Sequence, residues 1–94
     1  MSKVVEAAVA ALDEKARGFE GTAKFVIEGE GAVFIDASGA RAADEEADVT
    51  LTADRATFEG LLSGDVNPTL AFMTGKLKVD GSMGTAMKLG ALLS

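Results

Sequence analysis

Apolar residues in this chain switch between helical and alternating spacing as the sequence proceeds, and few folds satisfy that order. Over residues 3–17, Val5, Ala8, Val9 and Leu12 recur at helical spacing. Ser2 stands where it can cap the first turn, and Gly18 ends the helix after Lys15 and Arg17, whose charges suit the C-terminal end of a helix dipole. From residue 22 the period is two. Ala23, Phe25 and Ile27 alternate with Thr22, Lys24, Val26 and Glu28, which predicts a strand with one buried face. Glu28-Gly29-Glu30-Gly31 turns into a second strand over 32–36, whose continuous apolar run leaves its inner face unassigned. Residues 40–43 read as a short edge strand, Asp44-Glu45-Glu46 as an acidic loop, and 47–53 as a strand with Val49 and Leu51 inward. Close strands joined by glycine turns predict an antiparallel meander.

Helical spacing then returns. Asp54 is a good cap for a helix carrying Phe58, Leu61 and Leu62, and Gly64 stops it. Asn67-Pro68 combines a capping side chain with proline at the first helical position, and Leu70, Ala71, Phe72 and Met73 follow before Gly75. Lys76-Leu77-Lys78-Val79-Asp80 alternates as a last strand with Leu77 and Val79 inward. Ser82 caps a final helix over 83–93. The order helix, strands, helices, strand, helix predicts one α+β domain over 1–94, its sheet covered by helices on at least one face.

Composition narrows the chemistry. The chain has neither Cys nor His, which excludes thiolate nucleophiles, cysteine-based metal sites and the commonest general base near neutral pH. Ser63, Ser82 and Ser94 therefore lack the usual base for a serine nucleophile. The net charge of −6 argues against nucleic acid as a partner. That charge is uneven: residues 1–65 hold fourteen acids against six bases, whereas 66–94 hold only Asp80 against Lys76, Lys78 and Lys88. The run Val-Val-Glu-Ala-Ala-Val-Ala-Ala-Leu at 4–12 is broken by Glu6 and followed at once by Asp13 and Glu14, so it does not read as a signal peptide, and a cytoplasmic protein is expected.

Three features of the sequence invite a functional reading. The final helix has apolar residues on several faces and Lys88 as its only charge, so it must be buried widely, paired with a partner, or packed on a bound apolar molecule. Met73, Met83 and Met87 add flexible, polarisable side chains to the same region, which suits either core packing or varied apolar ligands. Gly81 and Gly84 fit a turn and close packing better than a phosphate loop, because the spacing of a nucleotide fingerprint is missing. The Asp44-Glu45-Glu46 cluster with Asp48 matches no calcium-loop pattern, and no metal or other cofactor is expected.

The stretch Gly64-Asp65-Val66-Asn67-Pro68-Thr69-Leu70-Ala71-Phe72-Met73-Thr74-Gly75-Lys76-Leu77-Lys78-Val79-Asp80-Gly81-Ser82-Met83-Gly84-Thr85-Ala86-Met87-Lys88-Leu89 closely resembles the C-terminal signature of the sterol carrier protein 2 family. Upstream, Ala47-Asp48-Val49-Thr50-Leu51-Thr52 resembles the strand that precedes the family's third helix, and Phe58, Leu61, Leu62 and Gly64 fit the helix after it. The resemblance implies a five-stranded, mostly antiparallel sheet covered on one face by helices, with an apolar tunnel between sheet and C-terminal helices. It also implies a non-catalytic carrier of fatty acids, fatty acyl-CoA, phospholipids or sterols, although nothing in these residues reads a sterol hydroxyl. The candidate tunnel wall takes Phe25, Ile27, Val33, Ile35, Val49, Leu51, Leu77 and Val79 from alternation on the strands. It takes Phe58, Leu61, Leu62, Leu70, Phe72, Met73, Met83, Met87 and Leu89 from helical periodicity. Most would also be core in a ligand-free fold. Lys76, Lys78 and Lys88 are weaker candidates for contact with an acidic head group or a membrane.

A magnitude bears on the tunnel. An enclosed apolar cavity at the lower end of the roughly 300–1,000 Å³ range of ligand pockets would cost about 7 kcal/mol at roughly 24 cal/mol per Å³, against a typical stability of about 5–15 kcal/mol. A domain this small is therefore expected to hold ligand, to collapse through movement of helix 83–93, or to pair with a second copy. The competing readings are an interaction module that homodimerises through the apolar last helix and a small carboxylate-dependent enzyme.

Overall fold

The computed structural model describes residues 2–93, so Ser94 lies outside the described residues. Helix α1 (Lys3–Ala16) leads into strands β1 (Ala23–Ile27), β2 (Gly31–Asp36), β3 (Gly39–Ala42) and β4 (Val49–Ala53). Helices α2 (Arg55–Ser63) and α3 (Pro68–Met73), strand β5 (Leu77–Gly81) and helix α4 (Met83–Leu93) complete the chain. The expected caps are present. Ser2 Oγ accepts from the backbone N–H of Val5 at 3.0 Å, Asp54 from Thr57 at 2.7 Å, and Asn67 from Thr69 and Leu70 at 2.8 and 3.2 Å. Each satisfies donors that the first helical turn leaves without a partner.

The sheet runs β3-β2-β1-β4-β5. Three of its four pairings are antiparallel, and β1 with β4 is parallel, Phe25 lying opposite Leu51. This corrects the expected meander at one point: β4 enters beside β1 rather than beside β3. A parallel pair needs a long crossover, here the β2–β3 hairpin together with the acidic segment 43–48. That segment crosses the open face of the sheet, where Lys24 Nζ donates to Asp44 at 2.7 Å and Arg41 donates to Glu45 at 2.9 Å. The segment is thus fastened down at both positions. Thr22 and Asp48 then exchange two hydrogen bonds, Thr22 N–H to the Asp48 carboxylate at 3.1 Å and Asp48 N–H to Thr22 Oγ1 at 2.9 Å, which sets the start of β4 against the start of β1.

One face of the sheet is apolar and covered. Ala23, Phe25, Ile27, Val33, Ile35, Val49 and Leu51 are buried there, which also assigns the inner face of β2. Helix α1 packs over β3 and β2, and α4 over β4, β1 and β5. Helix α2 sends Phe58 into the same core, where its ring meets Phe25 edge-on at 4.6 Å between centroids. The opposite face carries Lys24, Thr50, Thr52, Lys78 and Asp80, with Phe34 buried beneath the Arg41 guanidinium at 4.5 Å.

Gly81 holds the far end of β5 against β4. Its φ of +112° lies outside the range L side chains favour, and a Cβ there would run into the Asp48 carbonyl oxygen. The expected close packing therefore holds at Gly81. It does not hold at Gly84, which is exposed and would bring a Cβ no nearer than 3.9 Å to Ser82 Oγ. Gly81→Ala is expected to cost about 2–3 kcal/mol through backbone strain, read as a lower urea midpoint with an unchanged slope.

Two carboxylates that organise helix ends titrate low. Asp13 accepts the backbone N–H of Ala40 at 3.0 Å and pairs with Arg17 at 3.1 Å, and these bonds hold its carboxyl below the usual range. The backbone N–H and hydroxyl of Thr57 do the same for Asp54. A pKa lowered by folding adds stability above the unfolded value and loses it as pH falls through the folded one. The melting temperature should therefore drop as pH falls below about 4. Substituting Asp13→Asn and Asp54→Asn together, which keeps an accepting oxygen at both places, should flatten that acid limb.

Candidate functional site

Sequence order makes β5 the last strand added at one edge of the sheet, and α3 and α4 flank it. Asn67 and Pro68 fix the start of α3: the cap bonds hold the first turn, and the proline ring presets its backbone angle. At its other end, Lys76 N–H donates to the Ala71 carbonyl at 2.9 Å and anchors the turn into β5. Helix α4 begins where Ser82 N–H donates to the Asp48 carbonyl at 2.9 Å. An exposed ion pair, Lys88 to Glu20 at 3.0 Å, ties its flank to the segment before β1.

Between these elements lies a groove of about 470 Å³. Leu51, Leu77 and Val79 form its floor from the sheet. Asn67, Pro68, Thr69 and Phe72 form the α3 wall, and Met83, Ala86, Met87, Gly90, Ala91 and Leu93 the α4 wall. The polar side chains in the lining are Asn67 and Thr69, and the Asn67 carbonyl oxygen is already engaged in the helix cap. Among the described residues no ionisable side chain lines the groove. The carboxylates and guanidinia with displaced pKa values, Asp13, Asp36, Arg41, Asp54 and Arg55, are not among the lining residues. The arrangement offers apolar contact and shape but no acid–base pair.

The groove is open to solvent on one side; the family resemblance implies an apolar tunnel in this place. Helix α3 has six residues and too little bulk to close over α4. Met83 and Met87 consequently stay 50% and 73% exposed while lining the groove. The penalty calculated for an enclosed cavity does not apply to an open one.

Of the residues read from the sequence as wall, the structure brings Leu51, Phe72, Leu77, Val79, Met83 and Met87 together around the groove. It places Phe25, Ile27, Val33, Ile35, Val49, Phe58, Leu61 and Leu89 in the packed core away from it, and leaves Leu62 half-buried. Leu70 and Met73 project from α3 with 60% and 73% exposure and lie outside the lining. Alternation and periodicity report which side of an element faces inward. They do not report whether that side meets protein or a gap. Ala86, Gly90, Ala91 and Leu93 were missed although a signal existed. Met83, Ala86, Met87, Gly90 and Ala91 form a stripe at i, i+3, i+4, i+7 and i+8, adjacent to the core stripe of Ala86, Leu89 and Leu93. Asn67, Pro68 and Thr69 carried only a capping signal. The three candidate lysines do not converge: Lys78 projects from the opposite sheet face, Lys88 pairs with Glu20, and Lys76 sits in the turn after α3.

Comparison with known proteins places this geometry. Residues 3–94 match the SCP-2 sterol transfer family. The chain is 36% identical over 89 residues to hydroxysteroid dehydrogenase-like protein 2 of Xenopus tropicalis, covering 86% of this chain and 21% of that protein, so it spans about a fifth of that relative's length. Its fold is similar to the solution structure of the sterol carrier protein domain 2 of Helicoverpa armigera, with a TM-score of 0.77 and 30% identity over 96% of this chain and 85% of that one. It is also similar in fold to sterol carrier protein 2 of Aedes aegypti in complex with palmitate, with a TM-score of 0.79 and 20% identity over 100% of this chain and 97% of that one. Among the described residues no helix is long and apolar enough to cross a membrane. A mixed five-stranded sheet covered by helices, an open apolar groove under α3 and α4, and a family match that begins in the first helix together show that this chain belongs to the SCP-2 sterol transfer family.

Proposed function

We propose that this domain binds single lipid chains in the α3–α4 groove and transfers them without catalysing a reaction. The observation that carries this reading is the groove itself: about 470 Å³, apolar on floor and walls, with no charged group in its lining. That volume lies within the roughly 300–1,000 Å³ range of small-molecule sites. The complex of the similarly folded Aedes aegypti protein with palmitate supports a fatty acid as ligand. An acyl chain lying along Leu51, Leu77 and Val79 would be flanked by Phe72, Met83 and Met87, and the open side would leave a polar head group in water. The lining suits fatty acids, fatty acyl-CoA or phospholipids by shape alone, and a sterol body would find no partner for its hydroxyl beyond Asn67 and Thr69.

The rim of the groove supports a second element of the proposal, contact with a lipid surface during exchange. All five large apolar side chains exposed among the described residues, Leu70, Phe72, Met73, Met83 and Met87, belong to α3 and α4. Full burial of each contributes about 1.5–3 kcal/mol, so leaving them out forgoes an amount on the order of the roughly 5 kcal/mol that separates many domains from unfolding. Neither helix carries a carboxylate, whereas α1 carries Glu6, Asp13 and Glu14. The apolar rim is therefore the part of this acidic molecule that an anionic bilayer repels least, and we take a phospholipid surface as its partner. A second copy packed on the same rim is the competing reading.

Native mass spectrometry of freshly purified protein, followed by organic extraction, should find fatty acids or phospholipids, and the delipidated protein should take up a fluorescent fatty acid. A bare mass with no uptake, together with a stable dimer by light scattering, would replace the carrier reading with the homodimeric one. Leu70→Ser with Met73→Ser, both outside the lining, should leave uptake from solution unchanged. The same pair should slow transfer to phosphatidylcholine–phosphatidylglycerol vesicles by at least about tenfold, since together they remove apolar contact worth more than one decade.

A further inference from the structure

The sulfur of this chain is gathered around the groove. There is no Cys, His, Tyr or Trp, so the methionine thioether is the side-chain group that a peroxide oxidises most readily here. Of the four methionines, Met73 lies on α3, Met83 and Met87 lie on α4, and Met1 is outside the described residues. Among the described residues the packed core contains no methionine. Met83 and Met87 stand four positions apart on one side of α4, and both line the groove with 50% and 73% exposure. Met73 is also 73% exposed but lies outside the lining. An oxidant in water therefore reaches both groove methionines, and the change it makes falls on the wall of the groove rather than on the core.

We propose that Met83 and Met87 form a modification site for peroxides, and that oxidation of their thioethers to sulfoxides releases lipid from the groove. The inference rests on the lipid-binding reading of the groove and deepens it by naming how binding is regulated. A lone pair on sulfur attacks one oxygen of hydrogen peroxide. The S–O bond forms as the O–O bond breaks, the proton of the transferred hydroxyl passes through water to the departing hydroxide, and one water is released. Sulfur loses two electrons and the peroxide gains them, so the peroxide is the one co-reactant. The product places a hydrogen-bond acceptor where an apolar atom stood. The polar side chains of the lining, Asn67 and Thr69, belong to the α3 wall, so the α4 wall offers a sulfoxide no side-chain donor of its own, and the sulfoxide takes its partner from water on the open side. An acyl chain laid on that wall displaces the water and leaves the acceptor unpaired, which weakens binding. Bound lipid in turn covers Met83 and Met87 and slows their oxidation, while Met73 stays open to it.

The test treats delipidated protein with hydrogen peroxide, reads sulfoxide at each methionine by peptide mapping, and measures palmitate affinity by calorimetric titration. Wild type, Met83→Leu with Met87→Leu, and Met73→Leu are each compared with themselves before and after peroxide. Oxidised wild type should bind palmitate at least about tenfold more weakly, as expected when two groups in the wall each gain an uncompensated acceptor, and Met73→Leu should lose as much. The leucine pair keeps apolar bulk but has no thioether in the groove, so peroxide should leave its affinity where it started. Saturating palmitate should slow sulfoxide formation at Met83 and Met87 relative to Met73. The two classes of methionine sulfoxide reductase, one for each epimer, should restore affinity to oxidised wild type. The oxidised protein should melt within about 4 °C of the untreated one, because the core is untouched. Should the leucine pair not fold, recovery with the reductases decides. Four results overturn the modification site while leaving the carrier reading intact: full affinity in wild type oxidised at both positions, an equal loss in the leucine pair, a loss that comes with unfolding or resists the reductases, and equal protection of Met73. Untreated wild type that binds no palmitate overturns both.

Discussion

The apolar face of the sheet is wider than the helices available to cover it, and much of the molecule follows from that mismatch. Helix α1 spans fourteen residues and seals β3 and β2. Helix α4 spans eleven and lies over β4 and β1, reaching β5 with one flank. What remains for the β5 edge is α3, with six residues. Leu77 is buried by these neighbours and Val79 is only partly covered. Burial of apolar area drives the fold, and here the supply of covering surface runs out before the area does. The groove is the uncovered remainder, and its position at one edge is dictated by the order in which strands join the sheet.

That order depends on a polar crossing. Surface ion pairs contribute little to stability, commonly about 0–1 kcal/mol each, and the carboxylates that pair with Lys24 and Arg41 here are exposed. Their importance is positional. They hold segment 43–48 on the open face of the sheet, so that the chain reaches the far side of β1 and can add β4 and then β5 there. Beside them, Thr22 and Asp48 exchange hydrogen bonds at the start of the parallel pair, which separates the α1 side of the domain from the groove side. The acidic cluster is the exposed loop that its sequence predicts, and two of its carboxylates also pair with the sheet. The carboxylate-free surface of α3 and α4 is its counterpart, because most acids are used on the other side.

Much of this could be read from the chain. Ser2, Asp54 and Asn67 were visible as caps because a cap acts within four residues of itself, and the alternation of Ala23, Phe25 and Ile27 names a buried face without reference to any partner. The partner of β4 could not be read. Val49, Leu51 and Ala53 alternate in the same way whether the neighbouring strand is β3 or β1, and the contacts that accompany the crossing join Asp44 to Lys24, twenty positions away, and Glu45 to Arg41. Alternation likewise gives Phe25 and Val79 the same inward reading, yet one meets the ring of Phe58 and the other meets a gap. Leu70 and Met73 satisfy helical periodicity and still face outward, because α3 is too short to have an inner face for all its apolar residues.

The sequence by itself determined the elements, their caps, the single apolar side of the sheet, the absence of thiol and imidazole chemistry and the concentration of acids before residue 66. These are local or additive properties, set by neighbours within a turn or by composition, and they do not depend on where distant segments go. The tertiary structure alone decided that β4 lies parallel to β1, that the space under α3 and α4 is open on one side, and which inward residues line it. Those are properties of the volume between elements, and volume is fixed only when helix length, strand order and packing distance are combined.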